Sequence, residues 1–394
     1  MITVEEAMAL LEVSVELTAS HERQLTESSG LFLSHPVHAG HHHPLFDMTA
    51  VDGYAFAFDP ERTAWTVVAE LAAGDMYHEE LGPGECARIF TGAMLPAGAD
   101  TVVMQEFVQR DGDRITHTDG RLRSGGNVRL KGEQVKVGDL LLEAGSLLGP
   151  AEVGLLASAG VSDVHVHVRP TVSIVRTGGE FTEGGAPAPG RIFSSNEVML
   201  AAALRGEGIV TNDRTFTPKD VREELLRDLS ITLDSSDVVI STGGVSVGDH
   251  DLVRTCLEEL GAEIVFHGVR QKPGKPMLFA RKGRTRIFAL PGNPRAVLVG
   301  WHLYVRPFLK AMQGAHHPWL PNERLPMAKD ITWKGMRADF RAGVVRNGEV
   351  QLLADEGSHM LAGMVTAEVL VELPLGVNEL RQGEAVQVHY LPRS

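Results

Sequence analysis

Cysteine is nearly absent: only Cys86 and Cys256 occur in 394 residues, far apart in sequence and without the spacing of a metal site. Neither a disulfide framework nor a cysteine zinc site is suggested, and a reducing cytoplasm fits. Basic residues are outnumbered, with 37 Lys and Arg against 51 Asp and Glu, a formal net charge of -14. That field repels phosphate backbones and anionic lipid, so no nucleic acid and no membrane surface is an expected partner. Any anionic ligand therefore needs a local positive pocket. Long apolar runs are also missing, and the start MITVEEAMALLEV lacks the basic flank and unbroken apolar core of a signal peptide. The expected location is cytoplasmic.

What is present is an ordinary globular composition, 43% apolar and 22% charged, with 42 Gly and 20 Pro that imply many turns. The length exceeds that of one hydrophobic core, so two to four domains are expected. Thr3 and Glu6 form a capping-box pair ahead of Val4, Met8, Leu11 and Val15 at helical spacing, which predicts an opening amphipathic helix. From about Trp65 to Leu148, short β-prone runs are punctuated by Gly. From Thr171 strands alternate with helices: TVSIVR, a helix near Asn196 to Leu204, a helix capped by Thr217 with Pro218 at its first position and Asp220 at its third, DVVIST, LVRTCLEELG, AEIVFHGV, MLFAR, RIFAL and a last helix to about Met312. Such alternation implies a largely parallel sheet. After the Pro-rich HHPWLPNERLP, the short runs ITW, VQLL, VTAEVLVELP and AVQVHYL predict a small β-domain.

Several loops carry chemistry-bearing residues, each with a plainer alternative. STGGVSVGDHD lies between a strand and a helix, so free amides at Gly243, Gly244 and the helix start can hold an anion, with Ser246 beside them, while Asp249 and Asp251 can bind a divalent cation. A tight connection alone explains the glycines equally well. KPGKP puts Lys272 and Lys275 on a stiff loop at a sheet end, suited to phosphate or other oxyanion oxygens, or to solvent alone. LPGNP sets Pro291, Gly292, Asn293 and Pro294 where open α/β sheets bind ligands, or makes a rigid helix start. In FDMTAVDGYAF, Asp47 and Asp52 can share a metal or act on water, with Gly53 allowing a tight backbone; capping roles are the alternative. Glu180 can join this acidic set or be an exposed loop carboxylate. The run HPVHAGHHHP, including His41, His42 and His43, can chelate a transition metal, although adjacent histidines on a linker usually do no chemistry.

In this order, FDMTAVDGYAF, RIFTGAMLP, RTGGEF, STGGVSVGDHD, KPGKP, LPGNP and EGSHM resemble the molybdopterin molybdenumtransferase family, which includes the E domain of gephyrin. The match covers nearly the whole chain. It implies a multidomain α/β plus β fold: an extended domain I (residues 1–43 with 132–168), an inserted β-rich domain II (44–131), a doubly wound α/β molybdopterin-binding domain III (169–314) and a β-barrel domain IV (315–394). It also implies an elongated homodimer with the cleft between subunits. The implied reaction inserts molybdate into adenylylated molybdopterin with release of AMP and uses Mg2+, and the adenylyltransferase of the same pathway is a further implied partner. By resemblance Asp52 is the catalytic carboxylate, with Thr91, Glu180 and Asp251 beside it; Asp52, Glu180 and Asp251 are the implied cation ligands. Gly243, Gly244, Ser246, Lys272, Lys275, Pro291, Asn293, Pro294 and Ser358 are the implied pterin and molybdate contacts.

The resemblance has departures. Met48 and Thr49 stand where the family has Asn and Ser, Gln134 and Gly179 each replace an Asp, and Phe216 and Thr217 replace an Asp pair for which Asp213 is the one substitute. Gly268 replaces a Lys, and Arg295 and Ala296 replace Val and Ser. The family's arginine falls on Ala342, with Arg341 one residue early, so that Arg341 serves only if a bulge or loop re-aims it. Two other functions are therefore weighed: a molybdopterin-binding dimeric scaffold with weakened catalysis, and a molybdopterin adenylyltransferase, against which the added β regions argue.

Overall fold

The computed structural model describes residues 1–182, 185–186, 189–216, 221–245, 252–354, 357 and 359–392, with the side chains of 213–216 left out. Its first element is the helix Val4–Glu12, closed at its start by the expected box: Glu6 N donates to Thr3 Oγ1 at 3.2 Å and Thr3 N donates to Glu6 Oε2 at 2.7 Å. Val15 lies beyond its end. Val4, Ala7 and Leu11 bury against the α/β sheet further along the chain.

The chain then runs out and back. Ser20–Gln24 pairs antiparallel with Asp163–His167, and Val37–His38 pairs with Leu140–Leu142. Leu25, Leu31, Leu33, Leu148, Leu156, Val164 and Val166 pack between these ribbons and the helix Pro150–Ser158. Within this excursion sits a six-stranded sheet, ordered Thr101–Met104, Gly53–Phe56, Glu85–Ile89, Ala64–Leu71, Arg114–His117 and Val108–Asp111. The β texture expected from Trp65 onward is thus present, but the sheet also takes in Gly53–Phe56, which as sequence reads only as a turn. Gly53 is required there: a Cβ would come within 1.9 Å of the Val103 carbonyl oxygen on the neighbouring strand.

The α/β sheet is ordered Thr211–Phe216, Val172–Arg176, Val238–Thr242, Thr285–Leu290, Leu278–Lys282 and Glu263–His267. Its first three pairings are parallel and its last two antiparallel, so it is less parallel than expected. The reason is local: Leu278–Lys282 and Thr285–Leu290 are joined by a hairpin turn with Gly283 at φ +55°, too short for the crossover that parallel strands need. Val172, Ile174, Val238 and Ile240 face the helix Asn196–Gly206, and Val175, Val239 and Ile287 face the helices Arg222–Ser235 and Leu252–Glu259. Alternate residues of one strand thus feed two helical layers, the doubly wound arrangement. Arg222–Ser235 begins later than expected, with Val221 at its cap; Thr217, Pro218 and Asp220 lie outside the described residues.

Past the helical run Pro294–Met312, which has a π-helical turn at Trp301–Val305, the C-terminal strands Asn322–Pro326, Ala385–Tyr390, Val369–Leu373, Ala338–Arg346 and Glu349–Leu352 pair in that order. A bridge between Met327 and Val350 joins the last to the first and closes a small barrel. Gln271–Lys272 pairs parallel with Ala338–Asp339, stitching the α/β layer to the barrel. No helix among the described residues is long and apolar enough to cross a membrane.

Candidate functional site

The seam between the α/β layer and the barrel opens into two adjoining cavities, about 420 and 690 Å³, both lined by Lys272, Lys275, Arg337, Asp339 and Arg341. Pro291, Asn293, Arg295 and Gly357 complete the first, and Lys334 the second. Six cationic side chains and one carboxylate, Asp339, line this cleft among the described residues. In a chain of net charge -14 that is a strong local reversal, and it is the positive pocket an anionic ligand requires.

The cations arrive by several routes. Gln271, fully buried, takes a hydrogen bond from the Tyr304 hydroxyl at Oε1 and donates from Nε2 to the Pro273 carbonyl at 2.9 Å, which pins KPGKP and its two lysines. Arg295, 2% exposed, extends from the first turn after LPGN. Arg341, 7% exposed, comes from the barrel strand Ala338–Arg346. That strand pairs in regular register from Asp339 opposite Leu373 to Gly343 opposite Val369, so no bulge re-aims Arg341. Phe340 and Ala342 turn to the core while Asp339 and Arg341 share the cleft face. The requirement for a bulge is therefore overturned.

Of the residues singled out in the sequence, Lys272, Lys275, Pro291 and Asn293 line the cleft together, with Pro294 opening the adjacent helix. Gly243 and Gly244 lie alongside, since a Cβ on Gly292 would sit 3.7 Å from the Gly243 Cα. Both adopt positive φ, +82° and +63°, and a Cβ on either would press on Thr177 within 3 Å, so the loop demands glycine. The Gly243 amide is not free for an anion, however: it donates to the Leu290 carbonyl at 3.1 Å. Asn196, buried, reaches the same corner and donates to the Gly292 carbonyl at 2.8 Å. Ser246, Asp249, Asp251 and Ser358 lie outside the described residues.

Asp52 and Thr91 meet elsewhere, at the ends of two neighbouring interior strands of the N-terminal six-stranded sheet, where Gly53 pairs with Ile89. Both the Thr91 backbone amide and its hydroxyl donate to Asp52 Oδ1, at 2.8 and 2.7 Å. These bonds, with the Arg88 guanidinium nearby, hold the carboxyl below its ordinary range against a smaller opposing effect of desolvation. Oδ2 has no protein partner among the described residues and is the oxygen available to a ligand. Asp47 does not share a site with it: its Oδ1 accepts from the Lys131 amide at 2.7 Å, the plainer structural role. Glu180 is exposed and folds back against Gly178. The histidine run is spread out, with His43 in a backbone bridge to Val135 and His42 Nδ1 accepting from the Val137 amide. Among the described residues, no three His, Cys, Asp or Glu side chains gather as a metal site.

Reading motifs misses Arg337, Asp339 and Gln271, and Arg295 and Arg341 enter only as departures. One signal existed: ADFRA alternates charge with apolar residues, placing Asp339 and Arg341 on one strand face.

Comparison with known proteins covers the same ground. Residues 2–160 match the MoeA N-terminal region (domain I and II), 173–311 the probable molybdopterin binding domain and 324–391 the MoeA C-terminal region (domain IV). The chain is 34% identical to the molybdopterin molybdenumtransferase of Nostoc sp., over 93% of this chain and 88% of that protein. It is 31% identical to that of Bacillus subtilis, over 92% and 88%. The crystal structure of the molybdopterin biosynthesis moeA protein of Pyrococcus horikoshii superposes with a TM-score of 0.83 at 27% identity, covering 99% of this chain and 100% of that one.

Proposed function

Because the chain belongs to the molybdopterin molybdenumtransferase family and is an enzyme of molybdenum cofactor biosynthesis, we propose that it inserts molybdate into adenylylated molybdopterin, releases AMP and depends on Mg2+. The observation that carries this reading is the six-cation cleft between the α/β layer and the barrel. A nucleotide-linked pterin phosphate and a molybdate dianion together present several oxyanion oxygens, and fixed cations aimed into a partly enclosed cleft stabilise such charge far better than cations in bulk water. Lys272 and Lys275 act as point charges, whereas Arg295, Arg337 and Arg341 offer planar, directional donors. Pro291, Asn293 and Pro294 shape the wall, and the Gly243–Gly244 turn lets a ligand approach the strand ends.

Asp52 supplies the opposite chemistry. A carboxylate held ionised by two donors on one oxygen is a weak base but a good partner for a cation. Mg2+ needs only one or two protein carboxylates when phosphate and water complete its shell, so Asp52 Oδ2 would hold it, with Glu180 or Asp251 as a second ligand. When bound, the ion neutralises developing phosphate charge. Asp52 and Thr91 do not line the cleft of their own chain, and the reading therefore includes a homodimer in which a second copy completes the site. The four-domain division, with boundaries at residues 43/44, 131/132, 168/169 and 314/315, belongs to the same reading.

The second reading is a molybdopterin-binding dimeric scaffold with weakened catalysis; against it stand Arg295, Arg337 and Arg341, which supply positive charge in the cleft where Gly268 replaces a Lys. The deciding assay is AMP release from adenylylated molybdopterin with molybdate and Mg2+. Turnover that vanishes in Asp52→Ala is the expected result; no turnover by the native protein, or an undiminished rate in the variant, overturns the reading.

A further inference from the structure

Beside the Asp52–Thr91 pair stands a cation that the proposed function leaves unused. Arg88, half-buried on the strand Glu85–Ile89, sits directly opposite Tyr54 on Gly53–Phe56. Its guanidinium carbon lies 5.1 Å from the centre of the Tyr54 ring and 4.6 Å from that of Phe90, contacts that favour a held cation over a free one. Nη1 donates to the Gly53 carbonyl at 2.9 Å and Nη2 donates to Gln105 Oε1, while the Gln105 amide donates to the Asp52 carbonyl at 3.1 Å. Arg88 is thereby tied to the residue that follows Asp52 and to one bonded to Asp52 itself. An arginine so near a carboxylate with a free oxygen ordinarily closes on it as a two-bond ion pair. Here it makes no ion pair among the described residues, neither with Asp52 nor with Glu70, its exposed neighbour across the parallel pairing with Ala64–Leu71. Its charge is near enough to help keep Asp52 ionised, yet Gly53 and Gln105 hold the fork away from Oδ2. Of the five guanidinium N–H groups, two are spent on neutral acceptors and three have no protein partner among the described residues. The acidic site thus keeps both signs of charge available, an oxygen for a cation and directional donors for an anion.

We propose that Arg88 is an anion-binding residue of this site: its unspent donors take a phosphate oxygen of the nucleotide-linked substrate, beside the cation that Asp52 Oδ2 holds. The proposal rests on the reading of Asp52 under the proposed function. A phosphate that helps to fill a Mg2+ shell has further oxygens left over. A guanidinium accepts these in a planar, two-bond geometry that an ammonium group does not offer. Packing on two rings and bonding to Gly53 and Gln105 restrict the side chain before a ligand arrives, so less freedom is lost on binding. The same two acceptors keep Asp52 and Arg88 from neutralising each other in the empty protein. Arg88 binds by hydrogen bonds alone and forms or breaks no covalent bond.

The test is calorimetric binding of AMP, with and without Mg2+, to the full-length protein, native and Arg88→Gln, read beside KM for adenylylated molybdopterin and the affinity for molybdate. Arg88→Gln should weaken AMP binding in Mg2+ about tenfold and raise KM by a similar factor, the scale of one charge-assisted hydrogen-bond set. Molybdate binding, which belongs to the cleft, should stay within about twofold. Arg88→Lys, which keeps the charge and loses the fork, should recover part of the AMP affinity, a rescue that a merely structural role does not predict. Loss without any recovery in Arg88→Lys, with a lowered thermal midpoint in both variants, marks Arg88 as a tie between strands and overturns the proposal. Unchanged AMP binding and KM in Arg88→Gln, with native turnover intact, also overturns it and leaves the proposed function standing. Arg88-dependent AMP binding by a native protein that catalyses no AMP release supports the proposal while the proposed reaction fails. A native protein that neither binds AMP nor turns over overturns both. If Arg88→Gln does not fold, Arg88→Lys is read by the same criteria, and failure of both to fold overturns the proposal, because the guanidinium is then needed to hold the strands.

Discussion

Two regions of the molecule hold opposite charge by different means. The seam cleft gathers its cations from KPGKP, from the turn after LPGN and from a barrel strand, and fixes them with buried bonds: Tyr304 to Gln271, Gln271 to Pro273, and Asp339 to Arg341. The Asp52–Thr91 pair rests on the ends of two neighbouring strands, with two bonds to a single oxygen. The cleft is expensive to build, because desolvated cations need partners wherever they sit. The acidic pair costs little, because Asp52 remains partly in water. A site that must bind a multiply charged anion and then act on it gains from this separation, since placing Asp52 among the cations would quench both. Under the proposed function the two regions divide the labour, with affinity in the cleft and chemistry at the acidic pair.

The division breaks first, if it is wrong, at Asp52. Asp52→Ala should lower AMP release about a thousandfold, the scale for losing a group that handles a proton or a cation in the transition state. It should leave molybdate affinity within about twofold, because Asp52 does not line the cleft of its own chain, and a twofold change is only a few tenths of a kcal/mol. Calorimetry on the variant that shows a large loss of anion binding would erase the distinction. The converse is Arg341→Ala, which removes a nearly buried cation and leaves Asp339 without its main partner. Anion and pterin binding should weaken about thirtyfold or more. A variant in which KM for the pterin is unchanged and only kcat falls would place Arg341 with the chemistry instead.

How much of this was readable as sequence differs between the two regions for a physical reason. KPGKP and LPGNP are stiff loops at strand ends, so their position in the α/β alternation already indicates a ligand face, and Lys272, Lys275, Pro291 and Asn293 do line the cleft. The capping box of Thr3 and Glu6 is a local signal and reappears unchanged. Arg337 and Asp339 are hidden, and Arg341 is legible only as a displaced arginine, because their placement depends on a pairing between Lys272 and Asp339 that spans 67 residues. The alternation in ADFRA shows which residues share a face, but not what that face meets. The antiparallel end of the α/β sheet was obscured in the same way, since only the short turn through Gly283, and not strand composition, decides direction. Asp47 and Asp52 illustrate the reverse error. Five residues apart and both acidic, they suggest one site, yet one carboxylate caps a backbone amide and the other faces Thr91.

A finer cut falls on Gln271. Replacing it with Leu strands the Tyr304 hydroxyl and the Pro273 carbonyl inside the protein, at a cost of about 2 kcal/mol for unmet buried polar groups. If the cleft depends on preorganised lysines, molybdate affinity should fall about tenfold, the loss of roughly one charge-assisted contact, while the pH profile of turnover keeps its shape. A midpoint lowered by several degrees with affinity untouched would show that the relay stabilises the fold without aiming the lysines.

The smallest effect is expected at Thr91→Val, and it bears most directly on the acidic side of the comparison. The substitution keeps the Thr91 amide bond to Asp52 Oδ1 and deletes only the hydroxyl bond. Donors to the charged form favour ionisation, and the hydroxyl is the largest influence holding the Asp52 carboxyl below its ordinary range. With that donor lost, the folded-state pKa rises, so activity should begin to fail at a higher pH as the solution is made acidic. At neutral pH the carboxyl remains ionised, and kcat/KM should change by at most about threefold. The acid limb of kcat/KM against pH is therefore the measurement. A limb displaced upward in Thr91→Val ties turnover to the ionised Asp52, whereas a limb that stays in place means that the titrating group lies elsewhere, and the chemical role must then pass from the Asp52–Thr91 pair to the cleft.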